Sequence, residues 1–452
     1  MRSWAEQIHH FILRRMNQRY IQRVCGMFLA VFLLGLGASF LTQVDGQTIF
    51  GPRLGADYPT FYTAGRIYNE YAPGRIYDRP LEAALYQQVT HDPDPANSTP
   101  YAAAPFFILP FIFLSRLPYA LSFVIWMLIA AALYVSGMRL AWTSTRHLPA
   151  DAWKTALLVG VTFVPFLLEG IAGGQVTGFA FFWLALAVFL EFRSQAFLGG
   201  LALSVCLYKP TLLLLIIPML LFTRRWRMLL GFALGGVVLG TASVLLVGTQ
   251  GCANYLGSLL FYTGQSTAAE TGLRTWKYID FNSFYRLLAG AFPPLRWGLT
   301  LATLVAIGPL VLRAWLKDKG TSPDGRALLW ALTIAWTAVL NVYFGIYDSA
   351  ILVLSAILSA DVLFGAGAGA VGGQSRVQGP ALGHHPEHVE GAVEGPGLPV
   401  EFKYLLLLLY VTPWFTEFVA MALHVQVFTL VIAGYGFYLL NKRRAEGLKE
   451  RG

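Results

Sequence analysis

The 452 residues are 56% hydrophobic and 13% charged, with 33 lysines and arginines against 24 acids for a formal net charge of +9. Soluble proteins carry roughly 25% charged residues, and the apolar runs here are longer than a water-facing surface absorbs, which excludes a string of soluble domains. The composition predicts an all-α, polytopic membrane protein, its excess positive charge serving cytoplasmic loops and anionic lipid rather than nucleic acid.

Residues 1–23 form a basic segment in which Arg14, Arg15, Arg19 and Arg23 precede the first spanning run, 24–44, and put the N-terminus in the cytoplasm. That run is too long for a cleavable signal peptide and has no small-residue cleavage site behind it. A first outer stretch, about 45–118, holds GADYPTFYTAGRIYNEYAPGRIYD and YAAAPFFILPFIFLSRLP. Its amphipathic pieces are too short or too proline-rich to span, and read as helices lying in the outer interface. Spans at 119–141, 154–170 and 175–192 follow, with GIAGGQVTG as an outer turn.

The segment AFLGGLALSVCLYKPTLLLLIIPMLLFTRRWR reads as two half-length helices meeting at Lys209-Pro210, which returns Arg224, Arg225 and Arg227 to the cytoplasm. A helix broken at membrane depth is tolerated where it lines a protein cavity. Residues 228–247 run outward to a second outer stretch, 248–296, and helices at 297–314, 326–340 and 348–364 complete a core of 24–364. Residues 365–400, rich in glycine and proline and without an aromatic residue, predict a flexible cytoplasmic linker. Residues 401–452 hold two last helices, about 403–417 and 419–440, and a basic tail. The pattern adds to about twelve membrane helices with both termini cytoplasmic.

Cys25, Cys206 and Cys252 suggest neither a disulfide framework nor a zinc site. No P-loop, dinucleotide fingerprint, zincin motif or nucleophile elbow is present, so a lipid-borne substrate fits better than a soluble nucleotide. Polar residues gather on the outer side: Asp57, Arg66, Arg75, Asp78, Lys209, Arg274, Lys277, Asp280, Arg286 and Asp348. Outer positive charge runs against the usual bias; a lipid phosphate would account for it, and scattered loop charges are the alternative.

Asp57, beside Tyr58 and Tyr62, fits a general base toward a sugar or lipid hydroxyl. It fits a helix N-cap equally, because Asp-Tyr-Pro before a helical pattern is a start signal. Lys209 at the helix break needs an anion such as phosphate, unless it snorkels. Asp348 in NVYFGIYD is a second carboxylate or only a cap, and Gln175 binds a ligand or caps the next helix. His384, His385 and His388 lie in the linker and are not expected to bind a metal.

The order GADYPTFYTAGRIY…GRIYD, AAPFFILPFIFLSRLP, GGQVTGFAFF and LALSVCLYKPTLLLL…RRWR resembles glycosyltransferase family 87, over about residues 25–364. That family comprises integral membrane enzymes of the GT-C type, including polyprenyl-phosphomannose-dependent mannosyltransferases. The resemblance implies a GT-C helical bundle with Asp57 as catalytic base, and it matches Lys209-Pro210 and Gly174-Gln175. Two positions depart from the family: Ala103-Ala104-Pro105 stands where a tandem proline is usual, and Gly345 where a histidine is common.

The expected activity is therefore transfer of mannose or another hexose or pentose from a polyprenyl phosphate to a lipid or glycan hydroxyl. It would take place at the outer face of the cytoplasmic (inner) membrane, in cell-envelope synthesis, with inversion at the anomeric carbon. Lys209, Arg66, Arg274 and Lys277 would hold the donor phosphate, and Tyr58, Tyr62, Gln175 and Asp348 the substrates. No cofactor is expected; a divalent metal is not chemically required and stays open. The alternative is a transporter or flippase for a lipid-linked sugar.

Overall fold

The computed structural model describes residues 17–42, 55–91, 98–264, 274–290, 292–318, 322–374 and 397–449. Within them the fold is helical throughout, with a lone antiparallel bridge between Tyr278 and Gly345 in place of any strand. Five helices are long and apolar enough to cross a membrane, seven if each of two bent pairs counts as one span. The larger expected count also includes runs too short to qualify, such as Thr177–Phe192 and the two halves at Ala196–Tyr208 and Pro210–Phe222.

The first helix, α1 (Gln18–Leu41), opens on Asn17, whose side chain accepts the Tyr20 N–H at 2.9 Å. Then come α2 (Tyr58–Glu70), α3 (Arg79–Thr90), capped by Asp78, and α4 (Leu109–Leu114) behind a 3₁₀ turn at Pro105–Ile108. α2 buries Tyr58, Phe61, Tyr62, Ala64 and Ile67, and its aromatic rings meet Phe111, Tyr119 and Phe123. α5 (Tyr119–Thr143) runs beside α7 (Thr177–Phe192). Between them the expected span at 154–170 is bent by 55° into α6 (Trp153–Val161) and a π-helical turn, Pro165–Ala172, that ends in the glycine turn before α7.

The break at Lys209-Pro210 is real. α8 (Ala196–Ser204) and α9 (Ile216–Phe222) are joined through 3₁₀ turns on either side of Lys209. α8 lies tight against α10 (Trp226–Gly264). A Cβ on Gly200 would stand 2.0 Å from the Met228 carbonyl oxygen, and one on Gly231 would stand 2.0 Å from that of Phe197. Small residues permit such approach where apolar burial gives no drive between helices. α10 bends at Gly248 (φ 73°) and continues to 264, so the second outer stretch begins as helix, because only a glycine passes through that conformation without ending it.

α11 (Phe281–Ala289), α12 (Pro293–Leu316) and α13 (Pro323–Val339) follow, then a 3₁₀ turn, Ile346–Ile351, leading into α14 (Leu352–Gln374). That helix covers 365–374, the start of the expected linker; the linker histidines lie outside the described residues. The last helices divide differently from the expectation: α15 (Val400–Val411) and α16 (Thr416–Leu423) form one pair bent by 63°, and α17 (Val427–Lys449) stands apart.

The two ends of α7 carry separate polar clusters, roughly 24 Å apart at 1.5 Å per residue. At its C-terminal end Arg225 pairs with Glu191 and with Asp318 (3.2 Å), Arg443 pairs with Asp318 (2.8 Å), and Trp330 donates to Glu191 (2.7 Å). Buried charges linked in this way tie α7, α12, α13 and α17 together. The cluster at the N-terminal end is the candidate site.

Candidate active site

Two glycine turns assemble the site. Gly55 and Gly174 take φ of 66° and 73°, and a Cβ on either would meet Tyr58 at 2.9 or 2.6 Å. Without those side chains the turns before α2 and α7 nest. Gly55 donates to the Ala172 carbonyl (3.1 Å), Asp57 to that of Gly173 (2.9 Å), and Trp126 Nε1 to that of Gly174 (3.0 Å).

Nesting carries Asp57 to Gln175, whose Nε2 donates to Asp57 Oδ2 at 3.0 Å. Asp57 precedes α2 but makes no side-chain cap; its backbone is helical (φ −106°, ψ −13°) rather than extended. The carboxylate is directed at the α7 turn. The cap reading does not account for it.

Lys277, on the short 3₁₀ helix Thr275–Lys277, lies beside this pair and bonds Glu169 of the π-helical turn at 3.0 and 3.3 Å. Burial pulls its ammonium down, but Glu169, with Asp57 and Glu417 behind it, holds its pKa above the ordinary lysine value. The charge of Arg274, itself exposed, reaches Glu417 of α16, whose Oε1 is buried without a hydrogen-bond partner.

A second half of the site faces the helix break. The Tyr278–Gly345 bridge, with Ile279 donating to the Phe344 carbonyl (2.9 Å), joins the strip before α11 to the strip before α14. Asp280 supports the join, accepting from Phe344 N, Ser283 N and Ser283 Oγ, each at 2.9 Å. Burial pushes its carboxyl up to about 6 against those bonds.

Beyond the join, Lys209 Nζ meets Asp348 Oδ2 at 2.5 Å and the Tyr347 hydroxyl at 3.1 Å, with the Tyr347 ring centroid 4.4 Å away. Asp348 also accepts the Gly345 N–H (3.0 Å), so it is both a cap and an ion-pair partner. Tyr278 donates to Tyr343 at 2.6 Å. Burial pushes the Tyr343 hydroxyl up to about 12, and both Asp348 and Asp57 add to the rise; one tyrosine thus feels both carboxylates.

The two departures from the family acquire local reasons. A Cβ on Gly345 would stand 2.6 Å from the Tyr347 ring, so tyrosine occupies the room that a side chain at 345 would need. Ala104 donates its N–H to the Tyr208 carbonyl (3.0 Å), a bond that proline could not make.

The expected site residues are thus distributed unevenly. Asp57, Gln175, Lys277, Lys209 and Asp348 come together, with Arg274 at the margin. Arg66 forms a bidentate pair with Glu70 (2.6 and 2.7 Å) one helical turn along α2. Tyr58 and Tyr62 are buried, their hydroxyls bonded to Ser122 Oγ (2.5 Å) and to the Leu117 carbonyl (2.8 Å). Sequence reasoning missed Glu169, Tyr278, Tyr343, Tyr347 and Glu417. Glu169 carried a usable signal, a lone acid within the apolar run VPFLLEGIAGG. The others became visible only through the fold. Among the described residues, no three His, Cys, Asp or Glu side chains gather where they could hold a metal ion.

No curated protein and no solved structure matches the chain. A family model does, over residues 102–370, the stretch that contains the α7 turn, the helix break and the Tyr278–Gly345 bridge. That is more than half of the chain, and this multi-pass membrane protein belongs to glycosyltransferase family 87.

Proposed function

We propose that the protein transfers a sugar from a polyprenyl phosphate to a lipid or glycan hydroxyl at the outer face of the cytoplasmic membrane. Asp57 takes the proton of the acceptor hydroxyl as its oxygen attacks the anomeric carbon. The bond from that carbon to the phosphate oxygen breaks, polyprenyl phosphate departs with the electron pair, and one direct displacement inverts the centre. The observation that carries this reading is the Asp57 carboxylate, which caps nothing and is oriented by Gln175 at 3.0 Å. Lys277 lies near it to offset charge on the departing phosphate. An ammonium has three donors; Lys209 uses two, on Asp348 and Tyr347, and keeps one for phosphate. Tyr343 and Tyr347 line the path between the two lysines and suit stacking on a sugar ring.

The sugar, mannose or another hexose or pentose, and the acceptor follow from which substrates are consumed. Purified protein given polyprenyl phosphomannose and an envelope lipid extract should release polyprenyl phosphate and form a glycosylated lipid. A donor left intact, yet moved across proteoliposome membranes, would favour a transporter instead.

A further inference from the structure

The corner between α11 and α12 holds an arginine that the glycosyl-transfer site does not use. Arg296, in the first turns of α12, is 3% exposed. Its Nε and Nη2 are buried without a hydrogen-bond partner, and among the described residues no carboxylate pairs with it. Its nearest charge is of the same sign: Arg286 of α11 lies close enough for the two guanidiniums to act on each other. Arg286 in turn feels Asp280, Tyr278 and Tyr343, which connects the corner to the candidate active site. The Asp280 carboxylate is already occupied by Phe344 and Ser283.

A buried guanidinium with unpaired N–H groups and a like charge beside it is costly unless an anion completes the arrangement. The planar fork of arginine suits the two oxygens of a phosphate. The N-terminal turns of α12 add the positive end of a helix dipole.

The surroundings show what carries the phosphate. Phe292, Leu295 and Trp297 stand beside Arg296 at 60%, 48% and 41% exposure, on a helix whose outward face continues through Leu301, Leu304 and Val305. The Arg296 guanidinium lies 4.6 Å from the Trp297 ring centroid. An anion that reaches the guanidinium therefore passes exposed hydrocarbon. A free phosphate ion gains nothing from that, but a phosphate on an acyl or isoprenoid chain does.

We propose that the α11–α12 corner binds a lipid-borne phosphate, with Arg296 as its principal ligand and Arg286 as the supporting charge. Two sources share that chemistry: the phosphate of an isoprenoid lipid and the headgroup of an anionic bilayer phospholipid. The proposal does not rest on the transfer reaction, since the test reads binding without turnover.

The full chain in detergent is titrated with farnesyl phosphate and, separately, with dioleoyl phosphatidylglycerol, and bound lipid is counted by native mass spectrometry. Arg296→Gln should weaken at least one probe by about tenfold or more, the scale of one charged hydrogen bond lost. Loss confined to farnesyl phosphate assigns the corner to the isoprenoid lipid; loss confined to phosphatidylglycerol assigns it to the bilayer. Equal binding of both probes by wild type and variant overturns the proposal. If Arg296→Gln does not accumulate, Arg296→Lys reads the same way: it keeps the charge but loses the fork, so several-fold weaker binding supports the site and unchanged binding overturns it.

Discussion

Lys209 and Asp348 are 139 residues apart in the chain, yet they form the shortest contact of the candidate site at 2.5 Å, with side chains 15% and 1% exposed. Such a pair resists single substitution. Lys209→Ala leaves Asp348 as a buried, uncompensated charge, and a cost of about 3–5 kcal/mol is expected. The double variant Lys209→Met with Asp348→Asn removes both charges and should recover most of that in a thermal melt. If the single variant melts like wild type, the pair is not formed. Activity separates stability from phosphate binding, because the double variant should fold and still use donor poorly. The charge of Lys209 at the helix break was legible in KPTLLLL; its partner was not, since nothing in local periodicity links 209 to 348. Asp57 was legible only as an ambiguity, and the Gln175 contact, created by two glycine turns, resolves it.

At the scale of elements, α8 and α10 touch through glycines whose replacement has a direct reading. Gly200→Ala places a methyl 2.0 Å from the Met228 carbonyl. The helices must separate, at about 1–3 kcal/mol for overpacking, and a lowered melting temperature with slower refolding checks it. The bridge between Tyr278 and Gly345 depends on Asp280, whose carboxyl burial raises from 3.8 to about 6. Between those values the native protein holds that proton more tightly than the unfolded chain, so this contribution to stability is fully present at the acidic end and is lost as pH rises through about 6. Asp280→Asn caps α11 equally well and should flatten that part of the profile; an unchanged slope would acquit Asp280. The half-helix pair was readable because proline and short apolar lengths announce it. The bend at Pro165–Ala172 and the continuation of α10 past Gly248 were not, because a glycine that ends a helix and one that bends it look alike in sequence.

For the whole molecule, the two polar clusters at opposite ends of α7 give the protein a direction. Basic clusters at Arg14–Arg23, Arg224–Arg227 and Lys442–Arg444 predict that the end with Glu191, Arg225 and Asp318 faces the cytoplasm. A topology reporter fused at residue 380 should then be cytoplasmic and one inserted near residue 92 exported; the same side for both would reverse or break this orientation. The membrane class and all-helical architecture followed from composition alone, because charge depletion and long apolar runs have few other solutions. The convergence of α2, the α7 turn, the helix break and the strip before α14 on one site required the folded chain.

The central claim is that Asp57 is the base of a glycosyl transfer. Its most direct test is turnover of the purified Asp57→Asn protein, alongside wild type, in liposomes that contain polyprenyl phosphomannose and acceptor lipid. Asparagine keeps the size and can still bond Gln175 but cannot take the proton, so turnover should fall by at least about 10²-fold with the melting temperature nearly unchanged. Wild-type turnover by Asp57→Asn would contradict the account.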